Sequence, residues 1–160
     1  MEYRIMESPD SLYENVRSIR LGEGKRLWLY KGDEPFLAVD INIPQCFFDA
    51  ILFKDYLVIG NYFEGIYFIN LDDLKIQNIK VTGYFGHFEV EKDRLYVLGC
   101  EDVMAFDERM ELLWQSEPLA VDGVVCDAID GDRMVLSCEM DPPGGWVERV
   151  ISLKDGSVLK

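Results

Sequence analysis

This chain is poor in positive charge, in histidine and in the short signatures of catalysis. Sixteen Lys and Arg stand against thirty Asp and Glu, for a net charge of −14. A field of that sign repels phosphate backbones, which argues against a nucleic-acid ligand and against anionic membranes. It suits a cationic partner, or serves solubility alone. The one histidine, His87, is not near any cysteine in sequence, and none of Cys46, Cys100, Cys126 and Cys138 forms a Cys-x-x-Cys pair. Both facts argue against a zinc site. No serine sits in a Gly-x-Ser-x-Gly turn and no glycine loop has the phosphate-cradling pattern. Paired acids such as Asp72-Asp73 and Glu101-Asp102 fall in turns and read as a solvated rim; no pair stands out as the flanks of a glycosidase cleft. No cofactor is implied, and a non-enzymatic role is the expectation.

Long apolar runs are also missing. None approaches the roughly 18 residues of a membrane span, and the start, Met1-Glu2-Tyr3-Arg4-Ile5-Met6-Glu7, lacks the apolar core of a signal peptide. These absences predict a cytoplasmic protein with reduced thiols. What is present is packing material. Hydrophobic residues make up 49% of the 160 and aromatics 12%, which suits one well-buried domain.

The organising feature is a repeat. A polar turn carrying an Asp, then an apolar strand, recurs at Lys54-Asp55-Tyr56-Leu57, Lys92-Asp93-Arg94-Leu95 and Gly131-Asp132-Arg133-Met134, with turn aspartates 38 and 39 residues apart. A period near 40 made of strands predicts stacked four-stranded sheets of the propeller kind. The expected fold is therefore all-β: a single propeller-like domain over 1–160 with about four antiparallel repeats, near 26–45, 46–83, 84–122 and 123–160. The first repeat is partial, a hairpin of Leu27–Tyr30 and Phe36–Val39. Residues 1–25 stand apart. Ser8-Pro9-Asp10 caps a possible short helix over Ser11 to Ile19, with Leu12, Val16 and Ile19 at helical spacing. Each repeat is apolar on both faces, so it must stack on a neighbour. Whether the stack closes into a small ring or stays open is not decided by the pattern. Leu57, Ile59, Leu95, Val97, Val103, Phe106, Leu136 and Ile151 are the expected core.

Val103-Met104-Ala105-Phe106-Asp107 followed by Leu112-Leu113-Trp114 resembles the tail of a blade in pyrroloquinoline-quinone-type, WD-like propeller repeats, and Ile151 to Leu159 is a shorter echo. The resemblance implies that Trp114 closes against the next sheet. The turn after Asp107 is one residue short and lacks the family's Gly, and no quinone-binding residues match. Asp141-Pro142-Pro143-Gly144-Gly145-Trp146, taken with Leu119 to Val124, is also similar to a set of small bacterial proteins to which no activity is attached.

Two groups of residues are candidate sites. Aligning the repeats places Asp49, His87 and Asp127 at like positions on the first strands, where they would converge on a ligand with His87 held charged by the acids, or else bond to nearby backbone. The second group is aromatic. Tyr62-Phe63 lies in a turn beside Glu64, Tyr84 precedes a strand, and the loop after Asp141 presents Trp146. Trp146 is either a recognition anchor or the inward anchor of its strand; Phe85 and Phe88 are expected between sheets. Aromatics beside acids, on a chain of net charge −14, suggest a module that binds a basic protein, in its sharpest form an immunity or antitoxin-type inhibitor of a cationic toxin. The alternative is a small-molecule or hydrolytic site around His87. Oligomeric state is not legible.

Overall fold

The computed structural model describes residues 2–6 and 15–160, and the described residues form strands and turns with no helix. No helix is long and apolar enough to cross a membrane among them. The chain divides into two compact units, Met1–Gln45 and Cys46–Lys160.

The first unit is one sheet, A, of β1 (Glu2–Met6), β2 (Arg17–Arg20), β3 (Lys25–Lys31) and β4 (Glu34–Ile41), in the order β1-β3-β4-β2. β3 and β4 are the expected hairpin, with Lys31 opposite Glu34 and Gly32 at φ +65 in the turn. Trp28, Tyr30 and Ala38 are buried together, with Val16 against them. Beside them Arg26 grips Asp40 through two bonds, Nε to Oδ1 at 2.5 Å and Nη2 to Oδ2 at 2.8 Å. The guanidinium holds the Asp40 carboxyl below its ordinary range.

The helix expected over Ser11 to Ile19 needs correction. Residues 11–14 lie outside the described ones, but Arg17, Ser18 and Ile19 are strand β2, paired parallel with Leu37 to Val39 of β4. Pairing satisfies the backbone against a sheet edge already in place, whereas a two-turn helix has little stability of its own.

The second unit stacks three sheets, each matching one repeat. Sheet B holds β5 (Phe48–Phe53), β6 (Tyr56–Asn61), β7 (Gly65–Asn70) and β8 (Ile76–Ile79). Sheet C holds β9 (Phe85–Glu91), β10 (Arg94–Gly99), β11 (Val103–Phe106) and β12 (Leu112–Gln115). Sheet D holds β13 (Val124–Asp130), β14 (Arg133–Asp141) and β15 (Gly145–Ser152). Neighbours within each sheet are antiparallel, as short turns require. After β15, Ser157 to Lys160 runs back beside it, with a bridge between Ile151 and Val158 and backbone bonds to Val150 and Ser152.

Alternation along β10 shows why the repeats read as apolar runs. Leu95 and Val97 enter the core shared with Val58, Ile66 and Phe68 of sheet B. Tyr96 and Leu98 enter the core shared with Met134, Leu136, Cys138 and Ile151 of sheet D. A strand packed on both faces has no polar side. All eight residues expected in the core are buried. Phe85 and Phe88 are in the B–C core, and the Phe85 ring lies on Gly60 so closely that a Cβ there would come within 2.1 Å of it. Trp114 lies over Gly156 of the following repeat and donates Nε1–H to the Leu153 carbonyl at 3.2 Å. Sheet D differs from B and C. Met134, Leu136 and Cys138 are buried, but the alternate residues Val135, Ser137 and Glu139 are only half-buried. It closes the stack as a cap with a partly polar outer face.

Candidate binding surface

The turns joining second to third strands, and the segments leading into first strands, lie at one end of the second unit. The β6–β7 turn brings Tyr62, Phe63 and Glu64 there; the approaches to β5 and β9 bring Phe47 and Tyr84; the approach to β13 brings Asp122 and Gly123. Three rings tile into a slab. Tyr62 and Tyr84 are stacked at 4.7 Å, Phe47 and Tyr84 at 5.5 Å, and Phe47 and Tyr62 at 6.0 Å, with planes within 14° of parallel. Phe63 meets Tyr62 edge-on at 4.4 Å. Offset and edge-on contacts of this kind hold rings rigidly. The slab is not core: Phe63 is 78% exposed and Phe47 52%.

Acids tie the slab down. Tyr84 donates its hydroxyl to Asp122 Oδ1 at 2.9 Å, and burial with that bond raises its pKa above the ordinary tyrosine range. Tyr67 donates to Glu64 Oε2 at 3.0 Å and is pushed up to about 12, first by burial. The Cys100 thiol, 3.6 Å from the Val121 carbonyl, is likewise raised by burial and by Asp122. These groups stay protonated at neutral pH.

Trp146 extends the surface. It is 49% exposed, opposite Glu139 at the start of β15, which removes the inward-anchor alternative. The position next to the Gly123 Cα lies 3.7 Å from the tip of its indole and 3.6 Å from the Tyr84 hydroxyl. Gly123 is thus the floor between the two aromatics. Asp141 ends β14, and the chain turns back so tightly that a Cβ on Gly145 would stand 2.5 Å from the Asp141 Cβ.

The structure therefore gathers Tyr62, Phe63, Tyr84 and Trp146, with Asp141 at the turn beside Trp146. Phe47 was missed. Repeat alignment equates it with buried Phe85, but its φ of +32 takes it off the strand face. The other candidate trio lies on the first strands of sheets B, C and D. Asp49 bonds the Ala50 N–H at 2.8 Å, and Asp127, at a bulge in β13, accepts from Ser137 Oγ at 2.6 Å. His87 is 3.8 Å from Glu89 and feels Asp49. Its expected charging is corrected: burial lowers the His87 pKa, outweighing the pull of Glu89 and Asp49. No group of three His, Cys, Asp or Glu side chains is placed to hold a metal among the described residues. An open groove of about 380 Å³ lies at the opposite turns, lined by Glu91, Lys92, Arg94, Asp132 and Lys154, and its mixed charge selects no ligand.

No protein-family model and no curated protein matches the chain. Among solved structures it is similar to the computationally designed Ika4 protein, at TM-score 0.56 and 10% identity over 76% of this chain and 75% of that one. It is also similar to the computationally designed Ika8 protein, at TM-score 0.59 and 13% identity over 85% of this chain and 42% of that one. At such identities the likeness concerns fold alone.

Proposed function

We propose that this protein is a non-enzymatic binding module that takes a basic protein partner on the aromatic end of its second unit. The carrying observation is the tiled slab of Phe47, Tyr62 and Tyr84, with Phe63 and Trp146 exposed beside it. Rigid, exposed aromatics lose little entropy on binding and are the usual anchors of interfaces. Asp122, Glu139 and Asp141 flank them, and the net charge of −14 steers a cation toward the chain. An immunity or antitoxin-type inhibitor of a cationic toxin, acting in the cytoplasm, is the sharpest form of this reading.

Affinity capture from the native host, comparing wild type with the Phe63→Ala/Trp146→Ala double variant, tests it. A basic protein held by wild type and lost by an equally stable variant supports the module. Each anchor removed should weaken such a complex by about 2 kcal/mol. Equal retention by both proteins, or capture of acidic partners only, overturns it.

A further inference from the structure

Asp122 and Gly123 lie on the link from sheet C to sheet D, and the link is held from both sides. The Gly123 N–H donates to the Cys100 carbonyl, just past β10, at 2.7 Å, and the Gly123 carbonyl accepts the N–H of Glu139 on β14 at 3.0 Å. The Glu139 carbonyl in turn accepts the N–H groups of Val121 at 2.8 Å and Asp122 at 3.2 Å. Gly123 stands at φ +133, which L side chains rarely adopt, so the backbone conformation itself keeps a side chain out of this place. The result is a slot. A Cβ on Gly123 would stand 3.6 Å from the Tyr84 hydroxyl oxygen and 3.7 Å from the tip of the Trp146 indole. Apart from its chain neighbours, no other heavy atom of the described residues would come within 4 Å of it. Ordinary van der Waals contact on both sides makes the slot one flat group thick.

We propose that this slot, floored by Gly123 and walled by Tyr84 and Trp146, takes the guanidinium of an arginine side chain presented by a basic partner protein. This rests on the reading above and names the side chain that the aromatic end selects. Charge selects a cation. The Tyr84 hydroxyl spends its proton on Asp122 Oδ1 at 2.9 Å, so its oxygen and the exposed Asp122 carboxylate are left as acceptors at one wall. Glu139, opposite Trp146 in the sheet, and Asp141 add negative charge at the other. A guanidinium has donors only, set in a rigid planar fork that suits a carboxylate. Shape selects arginine over lysine. A flat cation fits a slot one group thick and lies against an aromatic ring, whereas an ammonium is a compact, strongly hydrated point charge. Tryptophan is the strongest cation–π partner, and Trp146 is 49% exposed. The seat is also ordered in advance. The link is bonded to both sheets, and Tyr84 is stacked between Phe47 and Tyr62, so little freedom is lost when a guest enters.

The test titrates the isotope-labelled full chain, followed by NMR, with acetylated and amidated Ser-Gly-Arg-Gly-Ser and with its counterparts carrying lysine or citrulline in place of arginine. Citrulline keeps the flat shape and loses the charge; lysine keeps the charge and loses the fork. The arginine peptide should shift the Gly123 amide and the Trp146 indole N–H. We expect the lysine peptide to bind at least about threefold more weakly and the citrulline peptide at least about tenfold more weakly. Asp122→Asn keeps the size of the side chain and should weaken the arginine peptide by about tenfold at an unchanged melting temperature. If that variant unfolds, the ranking of the three peptides on wild type decides. Arginine bound no better than lysine or citrulline, no binding of any of the three, or shifts confined to Tyr62 and Phe63 overturns the arginine slot. Capture of a basic protein through Phe63 and Trp146 would then leave the aromatic-end reading in place. Failure of that capture with the peptide ranking intact overturns the protein-partner reading alone.

Discussion

Gly60 and Phe85 show how narrowly single residues set the stacking of sheets. A methyl group at Gly60 would sit inside the Phe85 ring, and both positions are buried. Gly60→Ala should therefore force the ring off its seat and cost about 1–3 kcal/mol, read as a drop in the midpoint of urea unfolding. His87 gives a prediction with a sign. Its folded pKa lies below its unfolded value near 6.5, because burial disfavours the charged ring. Between the two values the unfolded chain binds more protons. The neutral ring's contribution is present above the unfolded pKa and is lost as pH falls through the folded one. Unfolding free energy measured from pH 7.5 down to 5 should fall more steeply for wild type than for His87→Gln. Parallel curves would show that the ring is not buried in the neutral form. Neither effect was legible in the sequence. His87 beside acids reads as a charged group, and only its burial reverses that.

At the scale of elements, sheet A depends on one polar clasp. Arg26 on β3 and Asp40 on β4 face each other as a register pair and are joined by two hydrogen bonds. Both side chains are less than a third exposed, so the pair is screened less than a surface pair. Asp40→Asn should cost roughly 1 kcal/mol in thermal unfolding, and Arg26→Lys should keep only part of the clasp, because lysine cannot bond in two places. The Asp40 pKa is depressed, so the clasp contributes fully above the unfolded carboxylate value near 3.9 and is lost as pH falls below it. Acid titration followed by unfolding should show that loss in wild type and not in Asp40→Asn. β2 teaches the opposite lesson about reading elements. Val16 and Ile19 have helical spacing, yet Arg17 to Arg20 lie along β4, since a waiting sheet edge outweighs a weak local preference.

At the scale of the whole molecule, thirty acids against sixteen bases make association with any cationic partner sensitive to salt. The association rate should fall by roughly tenfold or more between about 20 and 300 mM salt, with dissociation little changed, because screening removes steering and leaves close contacts intact. Stopped-flow mixing with the captured partner measures it. A rate independent of salt would mean that the charge serves solubility alone.

Most strands of sheets B to D and their core positions follow from the chain itself. A repeat near 40 residues with Asp-bearing turns, and strands such as Leu95 to Leu98 apolar at every position, has no stable arrangement except sheets buried on both faces. Tertiary structure decided what depends on distant residues meeting. It turned Phe47 out of the strand face to tile with Tyr62 and Tyr84, and it lowered the pKa of His87 beside two acids. It also made sheet D a cap whose outer face is only half-buried at Val135, Ser137 and Glu139. Local sequence sets which groups want burial or hydrogen bonds. Which of them are left facing solvent is settled only after the non-local pairings are complete, and binding draws on those that remain.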